Sequence, residues 1–194
     1  MTKIGPMTGA SSHTKYQRPK HDYYATDPNA IRLFLDQFEA DGESLANAVW
    51  EPACGEGNLV QPLKERGHNV FATDLIDRNG NHTFDFLNKS PNMQWCGDVL
   101  TNPPYKQAQA FVETALSRVE DESKVIMLLR IQFLESQRRH VFFKQNPPKY
   151  VYVHSSRIQI RLNNDPTING SALCFAWFVW EKGHQGDTVI RWIE

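Results

Sequence analysis

The segment Val125-Ile126-Met127-Leu128-Leu129 restricts the fold more than any other. A short, continuous apolar run of this kind describes a strand covered on both faces, and such strands belong to parallel sheets with helices packed above and below. The rest of the chain alternates accordingly. Asp27-Pro28 reads as an N-cap and first helical residue, and Ile31, Phe34, Leu35 and Phe38 mark one apolar face up to Asp41-Gly42. Ala48-Val49-Trp50 is a short strand ending at Glu51-Pro52. The turn Ala53-Cys54-Gly55-Glu56-Gly57 follows, and a helix through Leu59, Val60 and Leu63 stops at Gly67. Residues 69–73 make a second strand ending at Asp74, which completes a βαβ unit. A short strand and its exit are predicted over Thr83 to Leu87, and another strand over residues 98–101 that runs into Asn102-Pro103-Pro104-Tyr105. A helix with Ala108, Phe111, Val112 and Ala115 on one face comes next, and a further helix, Phe133 to Phe143, follows the central strand. Two antiparallel strands, 150–154 and 172–180, joined by a polar loop at 163–171, and an edge strand at 188–192 close the chain. The fold class is α/β: an open, mostly parallel sheet with a C-terminal antiparallel hairpin.

With 194 residues the chain suits one domain, and 40% hydrophobic and 22% charged residues exclude collagen-like, wholly disordered and disulfide-scaffold classes. No stretch approaches eighteen consecutive apolar residues, so no membrane span is expected. The first residues lack the apolar run of a secretory signal, so a cytoplasmic location is expected. Cys54, Cys96 and Cys174 are odd in number and form no CxxC pair, which reads as reduced thiols; no HxxxH or HExxH occurs, so no metal is expected. The net charge of −1 hides two basic segments, residues 1–21 at +4 and 130–161 at +6, on a body carrying −11. The first reads as a flexible basic arm preceding a single domain over 22–194. Such segments are either solvated charge runs or phosphate contacts.

In an open α/β sheet the ligand site lies beyond the carboxyl ends of the strands, where strand order reverses. The unusual residues gather there. Gly55 and Gly57 let a ligand approach the backbone closely. Asp74, at the end of the second strand, can accept hydrogen bonds from both hydroxyls of a ribose; its structural alternative is a helix N-cap. The turn lacks the third glycine of the dinucleotide fingerprint, which argues against NAD. In Asn102-Pro103-Pro104-Tyr105 two prolines stiffen the backbone and remove two donors. The Asn102 side-chain oxygen and the Pro103 carbonyl can then accept from a planar amine while the Tyr105 ring stacks on it.

Glu51 to Gly57, Asp74, Asp85-Phe86-Leu87 and Asn102 to Tyr105, in that order, resemble motifs I to IV of the S-adenosylmethionine-dependent amino-methyltransferases. Tyr23-Tyr24-Ala25-Thr26-Asp27-Pro28 resembles their motif X. The match runs from about Tyr23 to Lys182 and most resembles small phage or prophage DNA N6-adenine methyltransferases, of class I Rossmann-like fold. The resemblance implies S-adenosylmethionine as cofactor, with Tyr24, Thr26, Glu51, Pro52, Ala53, Cys54, Gly55 and Gly57 toward its methionine portion. It implies Asp74 at the ribose and Asp85 and Phe86 at the adenine, with Leu75 and Asn102 also among the cofactor-binding residues. Asn102, Pro103, Pro104 and Tyr105 would form the catalytic clamp on an extruded adenine. DNA would be the partner, met by Lys15, Arg18, Lys20, Arg138, Arg139, Arg157 and Arg161, with short or relaxed sequence preference because there is no room for a separate recognition domain. A second base-stacking aromatic has no counterpart between Ser155 and Ser171, where an arginine plane, or His154 just before, could substitute. RNA adenine and protein glutamine methylation share the clamp, and a non-catalytic binding module is the alternative from another class.

Overall fold

The computed structural model describes residues 24–78, 80–88, 93–158, 160–162 and 173–194. Residues 1–21, with Lys15, Arg18 and Lys20, and the loop at 163–171 lie outside them. The elements are β1 (Tyr24–Thr26), α1 (Pro28–Ala40), β2 (Ala48–Glu51), α2 (Val60–Glu65), β3 (Asn69–Asp74), β4 (His82–Thr83) and β5 (Asp98–Thr101). They continue with α3 (Ala108–Arg118), β6 (Lys124–Arg130), α4 (His140–Gln145), β7 (Tyr150–His154), β8 (Ile160–Leu162), β9 (Phe175–Glu181) and β10 (Val189–Ile193).

Eight strands form one sheet in the order β10-β7-β9-β6-β5-β2-β3-β4. All neighbours are parallel except β9, which runs antiparallel to both β6 and β7. The expected terminal hairpin is present as β7 and β9, and its second strand is inserted between β6 and β7. The expected edge strand is β10, parallel to β7. β1 and β8 pair separately as a two-stranded antiparallel ribbon, Ala25 opposite Arg161.

The central strand behaves as its sequence demands. Ile126 and Leu128 enter one core with Phe34, Phe38, Tyr152 and Trp177, whereas Val125, Met127 and Leu129 enter the other with Phe111, Val112, Phe178 and Trp180. Alternate side chains point to opposite faces, so a strand with a helical layer on each side is apolar throughout. Asp27 caps α1, its side chain accepting from the Asn29 N–H at 2.9 Å, with Pro28 at the first helical position. Asp98 aligns three strands: its two carboxylate oxygens accept from Ala46 N and Lys124 N, each at 2.7 Å, just before β2 and at the start of β6. Burial nevertheless raises its pKa above the usual carboxylate value.

Two expected elements are corrected. The strand over Thr83 to Leu87 is limited to His82–Thr83, because the Asp85 carboxylate accepts from Leu87 N at 3.0 Å and its carbonyl from Asn88 N at 3.1 Å, turning the chain. The helix over Phe133 to Phe143 is broken into 3-10 turns, Ile131–Leu134 and Gln137–Arg139, followed by α4. Ser136 is extended there, at φ −178° and ψ 129°. The Arg139 guanidinium donates to the carbonyls of Gln132, Phe133 and Glu135 at 3.1, 2.7 and 3.0 Å, and the Gln132 carbonyl also accepts from Glu135 N in a 3-10 turn at 3.0 Å.

Candidate functional site

The chain leaves β2 for β3 and β4 on one side of the sheet and for β5 and β6 on the other. The reversal leaves a crevice beyond the carboxyl ends of β2 and β5. A cavity of about 1000 Å³ occupies it, at the upper end of the roughly 300–1,000 Å³ of small-molecule sites.

One end is built from the turn after β2. Gly55 and Gly57 adopt φ of +54° and +89°, the left-handed region that favours glycine. Pro52, Ala53, Cys54 and Gly55 line the cavity, whereas Gly57 closes the turn through its N–H to the Cys54 carbonyl at 2.8 Å. Glu51 lies beneath the turn, fully buried and off the cavity wall. Its Oε1 accepts from the Thr101 hydroxyl and from Ala53 N, while Oε2 has no hydrogen-bond partner among the described residues. Burial pushes this carboxyl up to about 8, against the hydrogen bonds from Thr101 and Ala53. Burial, with Glu51 and Asp74 nearby, pushes the Cys54 thiol up to about 12, so it stays protonated and is no nucleophile.

Asp74 lines the cavity at the end of β3. Its oxygens accept from Gly55 N at 2.8 Å and Ile76 N at 3.1 Å. Among the described residues no helix follows it, so in place of an N-cap the carboxylate ties the glycine turn to its own loop. Leu75, Ile76, Phe84, Asp85 and Phe86 continue the wall. Phe86 is held edge-on to Trp50, centroids 5.0 Å apart.

The opposite end lies beyond β5 and β6. Asn102, Pro104 and Tyr105 line it, and Pro103 is buried behind them. The Asn102 amide donates to the Thr26 hydroxyl oxygen at 2.9 Å, so the end of β1 and the loop after β5 meet at the cavity. The side chain of Tyr24 is outside the described set, but its backbone pairs with Leu162 in the β1 and β8 ribbon. Arg130, Gln132, Phe133 and Arg139 complete this end. The Arg130 guanidinium carbon lies 4.8 Å over the Tyr105 ring, and Phe175 is 5.5 Å from that ring.

Of the basic residues expected to meet nucleic acid, Arg138 and Arg157 are exposed, and Arg139 is at the cavity but engaged with three carbonyls and the Phe133 ring. Arg161 is described only through its backbone pairing. His154 is not in the cavity wall: its Nε2 accepts from the Trp177 indole at 3.1 Å, and burial pushes its pKa down to about 4. It is therefore not the missing stacking group. Sequence reasoning passed over Arg130, although it ends a strand of the sheet as Glu51 and Asp74 do.

No protein-family model and no curated protein sequence matches the chain. Solved structures match its fold. A candidate class I S-adenosylmethionine-dependent methyltransferase from Listeria monocytogenes superposes with a TM-score of 0.58 at 12% identity, over 87% of this chain and 65% of that one. A candidate RNA methyltransferase from Pyrococcus horikoshii gives 0.53 at 12% identity, over 79% and 84%. The type IIG restriction endonuclease BpuSI gives 0.55 at 15% identity, over 82% of this chain but 25% of the endonuclease. The chain has the fold of class I S-adenosylmethionine-dependent methyltransferases. It spans less than two thirds of the Listeria protein's length and a quarter of the endonuclease's.

Proposed function

We propose that the protein transfers the methyl group of S-adenosylmethionine to the N6 amine of adenine in DNA. The observation that carries this reading is the bond from Asn102 to Thr26. It orients the clamp amide in the same cavity that holds the glycine turn and the Asp74 carboxylate.

The donor set fits the cofactor. Asp74 still has lone pairs for a ribose diol, the positive-φ glycine turn offers backbone at close range, and Leu75, Ile76, Phe84 and Phe86 give an apolar slot for a nucleobase. When bound, S-adenosylmethionine supplies a methyl group already activated by a sulfonium. The chain's own work is to present the nucleophile. The exocyclic amine of adenine is weakly nucleophilic because its lone pair is delocalised into the ring. In this reading the Asn102 oxygen accepts from the amine and favours a pyramidal nitrogen, an interaction that strengthens toward the transition state, while Pro103, buried off the cavity wall, stiffens the loop that carries it. Tyr105 stacks on the base, which must leave its duplex to arrive there. No strong base is needed, because the nitrogen becomes acidic only after attack. Residues 22–194 form the catalytic unit, and the basic residues at 1–21 and 138–161 meet the phosphates.

Transfer of labelled methyl to unmethylated duplex DNA, with RNA and protein as parallel acceptors, tests the proposal, and mass spectrometry of N6-methyladenine identifies the product. Label in DNA adenine is expected. Label confined to RNA or protein would replace the substrate, and binding of cofactor without transfer to any acceptor would make the protein a binding module.

A further inference from the structure

Arg130 ends the central strand and faces the cavity, yet no carboxylate pairs with it among the described residues, and its buried Nε–H has no hydrogen-bond acceptor there. Its described contact is the Tyr105 ring, 4.8 Å below the guanidinium carbon. Stacked planar groups sit with centres about 4.5–7 Å apart, so a third planar group does not fit between these two. Phe175, buried on β9, supports the ring at 5.5 Å and cannot withdraw without opening the core. Of these two neighbours of the Tyr105 ring, the guanidinium is the one that can leave.

We propose that Arg130 rests on Tyr105 in the free protein and exchanges for the substrate base, moving to a backbone phosphate beside the extruded nucleotide. The inference rests on the nucleic-acid reading above and adds a residue to it. A planar cation is a fitting placeholder for a base on an aromatic face, because both stack on the ring. Leaving that face costs the cation–π contact, which only an anion of the incoming ligand replaces, through a charge-assisted and often bidentate hydrogen bond. A polynucleotide brings base and phosphate together. A free nucleoside brings the base alone, and a glutamine side chain brings neither, so the exchange makes this end of the cavity selective for nucleic acid.

The exchange is tested by binding, with S-adenosylhomocysteine saturating the cofactor end. Wild type, Arg130→Gln and Arg130→Lys are titrated with a fluorescent single-stranded oligo(dA) dodecamer over a range of salt, and separately with adenosine by calorimetry. Losing Arg130 in the Gln variant removes one phosphate contact, so the salt slope on oligo(dA) falls by about 0.7 and the affinity weakens several-fold. Adenosine, which no longer has to displace the guanidinium, binds about threefold more tightly. The Lys variant keeps the salt slope. Opposite changes for the two ligands are the signature. Parallel weakening of both, or no change in either, overturns the exchange while leaving the methyltransferase reading intact. Failure of the wild type to bind oligo(dA) overturns the nucleic-acid reading and the exchange with it.

Discussion

An asparagine amide can face a substrate amine with either its oxygen or its nitrogen, and only the oxygen helps a nitrogen nucleophile. Nδ2 of Asn102 donates to Thr26, and in the proposed reaction the oxygen is the atom that faces the amine. Replacing Asn102 by Ala is expected to lower kcat by at least about 100-fold, the usual consequence of removing one preorganised group that acts in the transition state. Affinity for S-adenosylhomocysteine, read by calorimetry, should change little; equal loss of both would make the residue structural. Thr26→Val removes the partner and keeps the shape, so kcat should fall about tenfold, with Thr26→Ser within about twofold of wild type. A loss of cofactor affinity with kcat intact would confine Thr26 to the cofactor. Glu51 gives a pH signature. Burial raises its folded-state value to about 8 from an ordinary 4.5. Its contribution to stability is therefore fully present below pH 4.5 and is lost as pH rises to 8, where the unfolded chain ionises and the folded one resists. Each unit of that interval is worth about 1.4 kcal/mol, so the total is on the order of a few kcal/mol. Glu51→Gln retains the acceptor for Thr101 and Ala53 without ionising. Urea midpoints of the variant and wild type should coincide near pH 4 and diverge toward pH 8 in the variant's favour; parallel curves would show that Glu51 does not resist ionisation in the folded state.

Among elements, the loop after β4 depends on the last residue of α3. Arg118 is 4% exposed, and its guanidinium lies 5.6, 5.5 and 5.2 Å from the centres of the Trp50, Phe84 and Phe86 rings and donates to the Asn88 carbonyl at 2.7 Å. Burial lowers its pKa, with Asp85 acting the other way. Arg118→Met keeps apolar bulk and removes both the cation and the donor. Because Phe84 to Leu87 line the cavity, affinity for S-adenosylhomocysteine should weaken about tenfold, close to the energy of one desolvated cation–π contact with a hydrogen bond. Unchanged affinity would free the loop from this role. The same elements show what a sequence can carry. α1, β2, β3, β5 and β6 were legible because cap, periodicity and strand end lie within each segment: Asp27-Pro28 marks a start, and Asp74 and Asn102 follow apolar strands. The loop at Asp85 and the turns at 131–139 were not, because Asp85 bonds its own backbone and Arg139 captures carbonyls that a helical pattern assigns to the ladder. Nor was the insertion of β9 beside β6, since the pairing of Arg130 with Phe175 and the pairs beyond it join residues far apart in the chain and leave no local mark. Within the site, Gly55, Asp74, Asn102 and Tyr105 were legible as a motif. Arg130 and Arg118 acquire their roles only through the rings the fold brings beneath them.

For the whole molecule, a net charge of −1 gives no general attraction to a polyanion. Any affinity for nucleic acid must come from local cations close enough to phosphates to act within a Debye length of about 8–10 Å. The described candidates divide by how they are employed. Arg139 is spent on three carbonyls and a ring, so its removal would be read first as a loss of local structure. Arg138 and Arg157 are exposed on either side of β7, one in the turn before α4 and one after the strand, and no ion pair holds them among the described residues. Their removal should therefore change binding alone. In the Arg138→Gln, Arg157→Gln double variant the logarithm of affinity for duplex DNA should fall less steeply with the logarithm of salt, by about 1.8 in slope, because each phosphate contact contributes about 0.9 on B-form DNA. Affinity for S-adenosylhomocysteine and the thermal midpoint should stay as in the wild type. A slope that stays the same would move the nucleic-acid face away from these two arginines, and a slope reduced by only about 0.9 would leave one of them on it, which the single variants would then identify.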